Sequence, residues 1–137
     1  MINKFRGEYR FLSNFYLAPV EYEGIAYQNS EAAYQSAKVE DYNQRLYFKD
    51  LNPHDAKKEG RRRKLRSDWD KIKFDVMYRV VTAKFSQNED LKQKLLATGN
   101  KHLEEGNTWG DKIWGTVKGE GQNHLGKILM RVREELK

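Results

Sequence analysis

The sequence predicts an α+β fold that is predominantly helical, in a single compact domain with a small β element near the N-terminus. Three observations predict it: a long apolar helical pattern over residues 69–86, further segments that begin with helix-capping residues, and one hairpin pattern over residues 20–27. A chain of 137 residues has the size of one domain and can bury a core without disulfides. We therefore predict one domain over residues 1–137.

The β element is predicted from residues 20–27, in which Glu23 and Gly24 separate two short runs. A two-residue turn that contains glycine is typical of a hairpin. The first helix is predicted to begin at Asn29 or Ser30 and to run to about Lys38. An asparagine or serine there caps the free N–H groups of the first turn.

Five further helices are predicted from their caps and apolar positions. The second covers roughly residues 43–50. The third begins with Asn52 as its cap and Pro53 at its first position, and Gly60 is expected to close it. The other three predicted helices are the longest one, over 69–86 with Ser67 or Asp68 as its cap; one from Asn88 to Gly99; and a last one capped by Asn123.

Composition excludes several classes of function. The chain has no cysteine, which excludes disulfides, zinc–thiolate sites and thiol catalysis. Its three histidines lack metal-ligand spacing, so we do not expect a metal enzyme, although a site built from carboxylates alone stays open. We also expect no cofactor. No apolar run reaches the roughly 18 residues of a membrane span, and the N-terminus lacks the apolar region of a signal peptide. We expect a cytoplasmic protein that does not contact a membrane.

The net charge of +6 favours anionic partners such as phosphates or nucleic acid. The densest basic run is Arg61, Arg62, Arg63 and Lys64, followed by Arg66. Arginine binds phosphate with two parallel hydrogen bonds, so this run is a candidate phosphate clamp, with Arg61 and Arg62 as the preferred members. The alternative is an ordinary solvated face.

Glu31 and Lys38 are seven residues apart, a spacing that returns to nearly the same face of a helix. The residues between them are mostly small or aromatic. A lysine beside apolar surface has a lowered pKa and can act as a nucleophilic amine. A carboxylate within reach can pass protons. The alternative is a surface helix that carries two solvated charges.

The segment 107–126 contains two tryptophans, five glycines and Asp111. Glycine lets backbone approach a ligand closely, and tryptophan offers a flat face for stacking. Asp111, between Trp109 and Trp114, is a candidate acid/base group or an acceptor for a ribose hydroxyl. The alternative is a glycine-rich turn with core tryptophans, in which Asp111 caps the turn through backbone N–H groups. Asn14 likewise lies in a predicted turn, where asparagine is commonly structural.

The chain resembles the NADAR family, also called YbiA-like, over nearly its whole length. The matching residues, in the order that the family has them, are Phe11, Leu12, Ser13, Asn14, Phe15, Pro19, Ser30, Glu31, Gln35, Lys38, Pro53, Ala56, Lys57, Gly60, Arg61, Trp69, Met77, Ala83, Lys84, Phe85, Leu95, Leu96, Thr98, Gly99, Asp111, Trp114, Gly115, Gly121, Asn123, Leu125, Gly126, Leu129, Met130 and Arg133.

The resemblance implies an N-glycosidase that cleaves a ribose–nitrogen bond. One implied activity removes ADP-ribose from guanine in nucleic acid, and another destroys phosphorylated intermediates of riboflavin synthesis. In the implied mechanism, Lys38 forms a Schiff base with the sugar, and Glu31 and Asp111 move protons or orient the ribose. The implied substrate contacts are Asn14, Arg61, Arg62, Trp69, Trp109, Trp114, Gly115, Gly119 and Asn123.

A third possibility is a module that binds ADP-ribose or nucleic acid without turnover. Such a module would need the arginines and tryptophans but would not need the amine of Lys38. From the two activities that the resemblance implies, the expected partner is ADP-ribosylated guanine in nucleic acid or a phosphorylated ribosyl small molecule. The sequence makes no prediction of the oligomeric state.

Overall fold

The computed structural model describes all 137 residues, of which about half are helical. The contacts group into two units: residues 14–88, and residues 1–13 together with 89–137. The elements are a 3₁₀ helix Gly7–Leu12, β1 Leu17–Tyr22, β2 Ile25–Asn29, α1 Ser30–Ser36, α2 Tyr42–Leu46, α3 Pro53–Arg62, α4 Trp69–Gln87, α5 Glu89–Ala97 and α6 His124–Glu135. The predicted fold class, mainly helical with a small β element near the N-terminus, is confirmed.

The hairpin is confirmed and defines one wall of the first unit. β1 and β2 pair antiparallel, with Val20 opposite Tyr27. Glu23 and Gly24 both have positive φ, 49° and 85°, which is the conformation of a tight two-residue hairpin turn. Buried and exposed side chains alternate along both strands, so one face of the sheet packs on the core.

Helix α1 begins where predicted and ends earlier than predicted. The side chain of Asn29 caps it by accepting the Ala32 N–H at 2.7 Å. The helix ends at Ser36, where the Ser36 hydroxyl donates to the Ala33 carbonyl at 2.7 Å and the Ala37 N–H donates to the Tyr34 carbonyl at 3.2 Å. Lys38 therefore lies in the tight turn after α1, and its placement on the helix itself was wrong.

Helix α3 begins as predicted but does not end at Gly60. Asn52 caps it by accepting the Asp55 N–H at 2.8 Å, and Pro53 occupies the first turn. Gly60 is buried inside the helix, which continues to Arg62. A Cβ at Gly60 would collide with the side-chain oxygen of Gln35, so this glycine permits close packing of α3 on α1.

Helix α4 covers the predicted residues and is the main apolar element of the first unit. Its buried residues are Trp69, Val76, Met77, Val80, Val81, Lys84 and Phe85. The side chain of Asp68 makes no cap bond, because it pairs with Arg66 at 2.7 Å instead. Helix α2 is shorter than the predicted 43–50, since the residues after Leu46 continue as turns with i−3 hydrogen bonds.

The second unit contains the 3₁₀ helix, α5 and α6. Residue 2 pairs with residue 103 in a parallel bridge, and Leu125, Leu129 and Val132 form the buried face of α6. Asn123 precedes α6 with a φ of 52° and makes no cap bond. Its side chain instead donates to the Leu103 carbonyl at 2.9 Å and accepts the Glu105 N–H at 3.1 Å, which corrects its predicted role as the helix cap.

Candidate active site

The predicted carboxylate on α1 is buried. Glu31 is 7% exposed and lies in the first turn of the helix, near the positive end of its dipole. Its backbone N–H donates to the carbonyl of Asn14 at 3.2 Å, and the amide of Gln35 donates to its Oε1 at 3.2 Å. A carboxylate held in this way is not an ordinary solvated surface charge.

The predicted amine lies beside that carboxylate. Burial lowers the pKa of Lys38, the charge of Glu31 opposes this shift, and the positive charges of Arg61 and Lys57 add to it. The backbone of Lys38 is fixed as well, since its carbonyl accepts the Arg66 N–H at 2.9 Å. Lys38 is therefore a partly desolvated amine with an acid/base group nearby, which is the environment of a nucleophilic lysine.

Helix α3 supplies the positive charges that act on Lys38. Lys57 and Arg61 are one helical turn apart, and both lower the pKa of Lys38. Arg62 is different: its side chain is largely exposed and lies 3.5 Å from the carboxylate of Glu59. The structure thus brings Arg61 to Lys38, whereas Arg62 takes part in a surface ion pair.

Asn14 holds the start of α1 in place. Its Oδ1 accepts the Ser30 hydroxyl at 2.9 Å, its backbone carbonyl accepts the Glu31 N–H, and its Nδ2 donates to the sulfur of Met77 at 3.3 Å. These contacts give Asn14 a structural role, since they fix the backbone of Ser30 and Glu31. Its predicted contact with substrate stays a prediction.

Trp69 lies in the core at the start of α4. It is buried, and its ring packs against that of Tyr34 with centroids 5.3 Å apart and planes tilted by 56°. An aromatic pair of this geometry accounts for the tryptophan through packing. Its predicted contact with substrate also stays a prediction.

In the second unit, Asp111 closes a turn. Its Oδ1 accepts the N–H groups of Ile113 at 3.0 Å and Trp114 at 2.9 Å. The side chain of Asn107 brackets the same turn, accepting the Asp111 N–H at 3.0 Å and donating to its carbonyl at 2.8 Å. These bonds correspond to the structural alternative for Asp111, a local cap of backbone groups.

The two tryptophans of this segment differ in exposure. Trp109 is 56% exposed, whereas Trp114 is partly buried and meets the ring of His124 edge to face at 6.3 Å. Gly115 is buried, and a Cβ there would collide with the Glu105 carbonyl. Gly119 lies in a tight turn after Lys118, with φ of 82° and open space around it. Internal packing explains Gly115, and turn geometry explains Gly119.

Sequence reasoning missed one buried amine, Lys84 on α4. Its side chain is 1% exposed, and burial lowers its pKa to about 7. The Nζ atom lies 5.7 Å from the ring centre of Tyr16 and 5.1 Å from that of Phe85. The available signal was its spacing: Lys84 follows Val80 by one turn on the apolar face of α4.

The structure contains no cluster of three or more histidine, aspartate or glutamate side chains that could hold a metal ion. None of its helices combines the length and the apolar composition needed to cross a bilayer.

Comparison with known proteins identifies the family. The model of the NADAR domain matches residues 3–137. A riboflavin biosynthesis protein of Vibrio vulnificus is 41% identical over 132 residues, which cover 92% of this chain and 35% of that protein. The N-glycosidase YbiA of Escherichia coli is 36% identical over 133 residues, which cover 94% of this chain and 82% of that protein.

The fold agrees with a solved structure of that relative. The NMR structure of Escherichia coli YbiA superimposes with a TM-score of 0.84 at 34% identity, covering 99% of this chain and 86% of that one. The chain thus spans most of the length of YbiA but about a third of the Vibrio protein. The resemblance stated from the sequence is confirmed.

Proposed function

The chain belongs to the NADAR domain family, and from that premise we propose that it hydrolyses a ribose–nitrogen bond with Lys38 as the nucleophile. The class of reaction is supported by the relatives named N-glycosidases, which are hydrolases of N-glycosidic bonds. The observation that carries the residue assignment is the partly desolvated amine of Lys38, whose pKa responds to Glu31 on one side and to Arg61 and Lys57 on the other.

The first half of the reaction breaks the glycosidic bond. The neutral amine of Lys38 attacks the anomeric carbon, and the bond from that carbon to the base nitrogen breaks. Glu31 accepts the proton that the attacking amine gives up and passes it to the departing nitrogen. A lowered pKa of Lys38 supports this step, because only the unprotonated amine has a lone pair to donate.

The second half releases the sugar. The bond from the anomeric carbon to the ring oxygen opens, the ring oxygen takes a proton, and the carbon becomes a protonated imine with Lys38. Water then adds to the imine carbon and returns a proton, and the amine leaves, so that the ribose is released with its phosphate groups and the enzyme is regenerated. Glu31 is again the proton carrier, which is the usual task of a carboxylate beside such an intermediate.

Lys57 and Arg61 are proposed to bind a phosphate of the substrate. With Lys38 they form a group of three cations beside one carboxylate, which favours an anionic ligand. When Lys38 is neutral, two cations remain, and a phosphate bound by them would hold the sugar close to the amine. The roles of Asp111, Trp109, Trp114 and the glycines stay predictions from the family resemblance.

Two substrate classes follow from these features. We propose ADP-ribosylated guanine in nucleic acid first, since the net charge of +6 and the exposed Arg61 and Arg62 favour a polyanion. A phosphorylated ribosyl intermediate of riboflavin synthesis is the second candidate, favoured by the name of the Vibrio relative. Both carry a ribose–nitrogen bond and phosphate.

The test uses both substrates with the wild-type protein. A guanine-ADP-ribosylated single-stranded oligonucleotide and a phosphorylated riboflavin intermediate are each incubated with the protein, and base release is followed by mass spectrometry. Sodium borohydride is added in parallel to reduce the imine to a stable secondary amine. We expect base release and a ribosyl adduct on the peptide that contains Lys38.

The substrate that is cleaved decides between the two candidates. Binding of either substrate without release of base would contradict the glycosidase proposal and favour a module without turnover. Release of base with no adduct on Lys38 under reducing conditions would remove the imine from the mechanism and leave direct attack of water.

A further inference from the structure

Gln35 directly contacts the proposed proton carrier. It lies one helical turn after Glu31 on α1, and its Nε2 donates to Glu31 Oε1 at 3.2 Å. The side chain is 5% exposed, so water does not compete for this hydrogen bond as it would at a surface.

The other end of the same amide lacks a partner. Gln35 Oε1 is fully buried and accepts no hydrogen bond. It lies against Gly60 of α3, at the point where a Cβ would collide with it. A buried acceptor without a donor destabilises a folded protein, and an apolar side chain of the same shape would remove that cost. Packing alone therefore does not explain a glutamine at this position.

We propose that Gln35 is a positioning residue that holds the carboxylate of Glu31 for proton transfer with Lys38. This inference rests on the proposed function. The amide orientation is set by the carboxylate, since the opposite orientation would bring the amide oxygen against Glu31 Oε1. Gln35 thereby favours the ionised carboxylate, which is the form that accepts the proton of the attacking amine.

The packing of α3 keeps the amide in this orientation. Gly60 lets α3 approach closely enough to confine the Gln35 side chain. Lys38, on the turn after α1, interacts electrostatically with Glu31, and Lys57 and Arg61 on α3 act on Lys38 in turn. None of these three cations hydrogen-bonds the Gln35 side chain, so we expect replacement of Gln35 to remove the amide and to leave the charges in place.

The test is Gln35→Met, which keeps the length of the side chain and removes both ends of the amide. We expect kcat to fall roughly 10-fold to 100-fold, as for a misplaced catalytic group. KM should stay within about two-fold, because Gln35 binds no part of the substrate in this proposal. The thermal midpoint should be equal to that of the wild type or higher, because the unpaired acceptor is gone.

The matched control is Gln93→Met on α5. Gln93 makes the same contact, from its Nε2 to Oε1 of the glutamate one turn earlier, at 2.9 Å, but on an exposed face. We expect no change in kcat there. Wild-type kcat in Gln35→Met, or a loss of kcat that is accompanied by a lower thermal midpoint, would overturn the positioning role.

A readout without turnover separates this inference from the proposed function. In protein labelled with ¹³C at glutamate carboxyl groups, the titration midpoint of the Glu31 signal should rise in Gln35→Met, because the donor to the ionised form is lost. It should not move in Gln93→Met. If the wild type cleaves neither substrate, the proposed function fails, whereas an unchanged Glu31 midpoint in Gln35→Met overturns the positioning inference by itself.

Discussion

The start of α1 and the segment 107–126 differ in how their polar side chains are satisfied. In the segment, Asp111 and Asn107 hydrogen-bond backbone groups of their own turn. At α1, Glu31 is buried beside an amine whose pKa is lowered, and the amide that contacts Glu31 has an unpaired oxygen. Local turn formation accounts for the first arrangement and does not account for the second. The tryptophans, glycines and Asp111 stand out in the sequence of 107–126, yet the polar side chains there hold the turn itself. The buried carboxylate and the amine with a lowered pKa lie instead on α1 and the turn after it.

The largest expected effect on turnover is at Lys38, in the turn after α1. Lys38→Ala should lower kcat by at least roughly 10³-fold, because the proposed mechanism loses its nucleophile. Wild-type activity should rise with pH as Lys38 loses its proton, over a range below the ordinary lysine pKa, since burial lowers the pKa of Lys38. Steady-state kinetics from acid to alkaline pH would measure both.

Lys58→Ala on α3 is the control, since that lysine is exposed. If Lys38→Ala were as active as the wild type, Lys38 would not be the nucleophile. Glu31 and Asp111 would then be the candidates for the catalytic groups.

An intermediate effect is expected at Lys84, which shares a lowered pKa with Lys38 but is fully buried. Its pKa of about 7 in the folded state lies below the ordinary value of 10.5, so the unfolded chain binds more protons between these pH values. The free energy of unfolding should therefore rise as pH increases above 7 and should level off near the ordinary pKa of lysine.

Lys84→Met should remove this rise and should be more stable than the wild type near neutral pH. The free energy of unfolding of both proteins is measured with urea at pH 7 and pH 9. The difference between the variant and the wild type at each pH removes the contribution of the other titrating groups. A difference that does not depend on pH would show that Lys84 is not neutralised by burial.

The smallest effect is expected in the segment 107–126. Asp111→Ala should cost about 1–2 kcal/mol of stability, because two backbone N–H groups lose their acceptor. The kcat should change by no more than a few-fold, and Asp111→Asn, which keeps a side-chain oxygen, should lose less stability. Urea midpoints and kinetics on the three proteins would test this. If Asp111→Ala lost turnover but unfolded at the same urea concentration as the wild type, Asp111 would have the proton-transfer role that the family resemblance implies. The segment 107–126 would then carry catalytic chemistry as α1 does.

Local signals predicted the elements well where the deciding contacts are close in sequence. The hairpin turn at Glu23 and Gly24 and the caps at Asn29 and Asn52 all depend on residues within one turn, and each was confirmed. The end of α1 was missed, since the change from helical bonds to the tight turn of Ala37 and Lys38 is not visible in the composition.

What packs against a glycine was not predictable at two positions, Gly60 and Gly115. Gly60 has the sequence context of a helix end, yet it lies inside α3, and the side chain of Gln35 occupies the space that its Cβ would take. The substrate contact of Gly115 stays a prediction, and the Glu105 carbonyl occupies the space that its Cβ would take. Whether a missing Cβ makes room for a turn, a ligand or another segment depends on what packs against it.

The sequence by itself determined the helical fold class, the hairpin, the family and the pairing of Glu31 with Lys38 as a candidate site, since helical periodicity, capping and ordered motifs are properties of the chain. Tertiary structure alone decided which charges are desolvated. Burial of Glu31, the cations that α3 brings to Lys38, the enclosure of Lys84 and the unpaired oxygen of Gln35 all arise from segments distant in sequence. Desolvation is a property of the surroundings, so it appears only when the helices have packed.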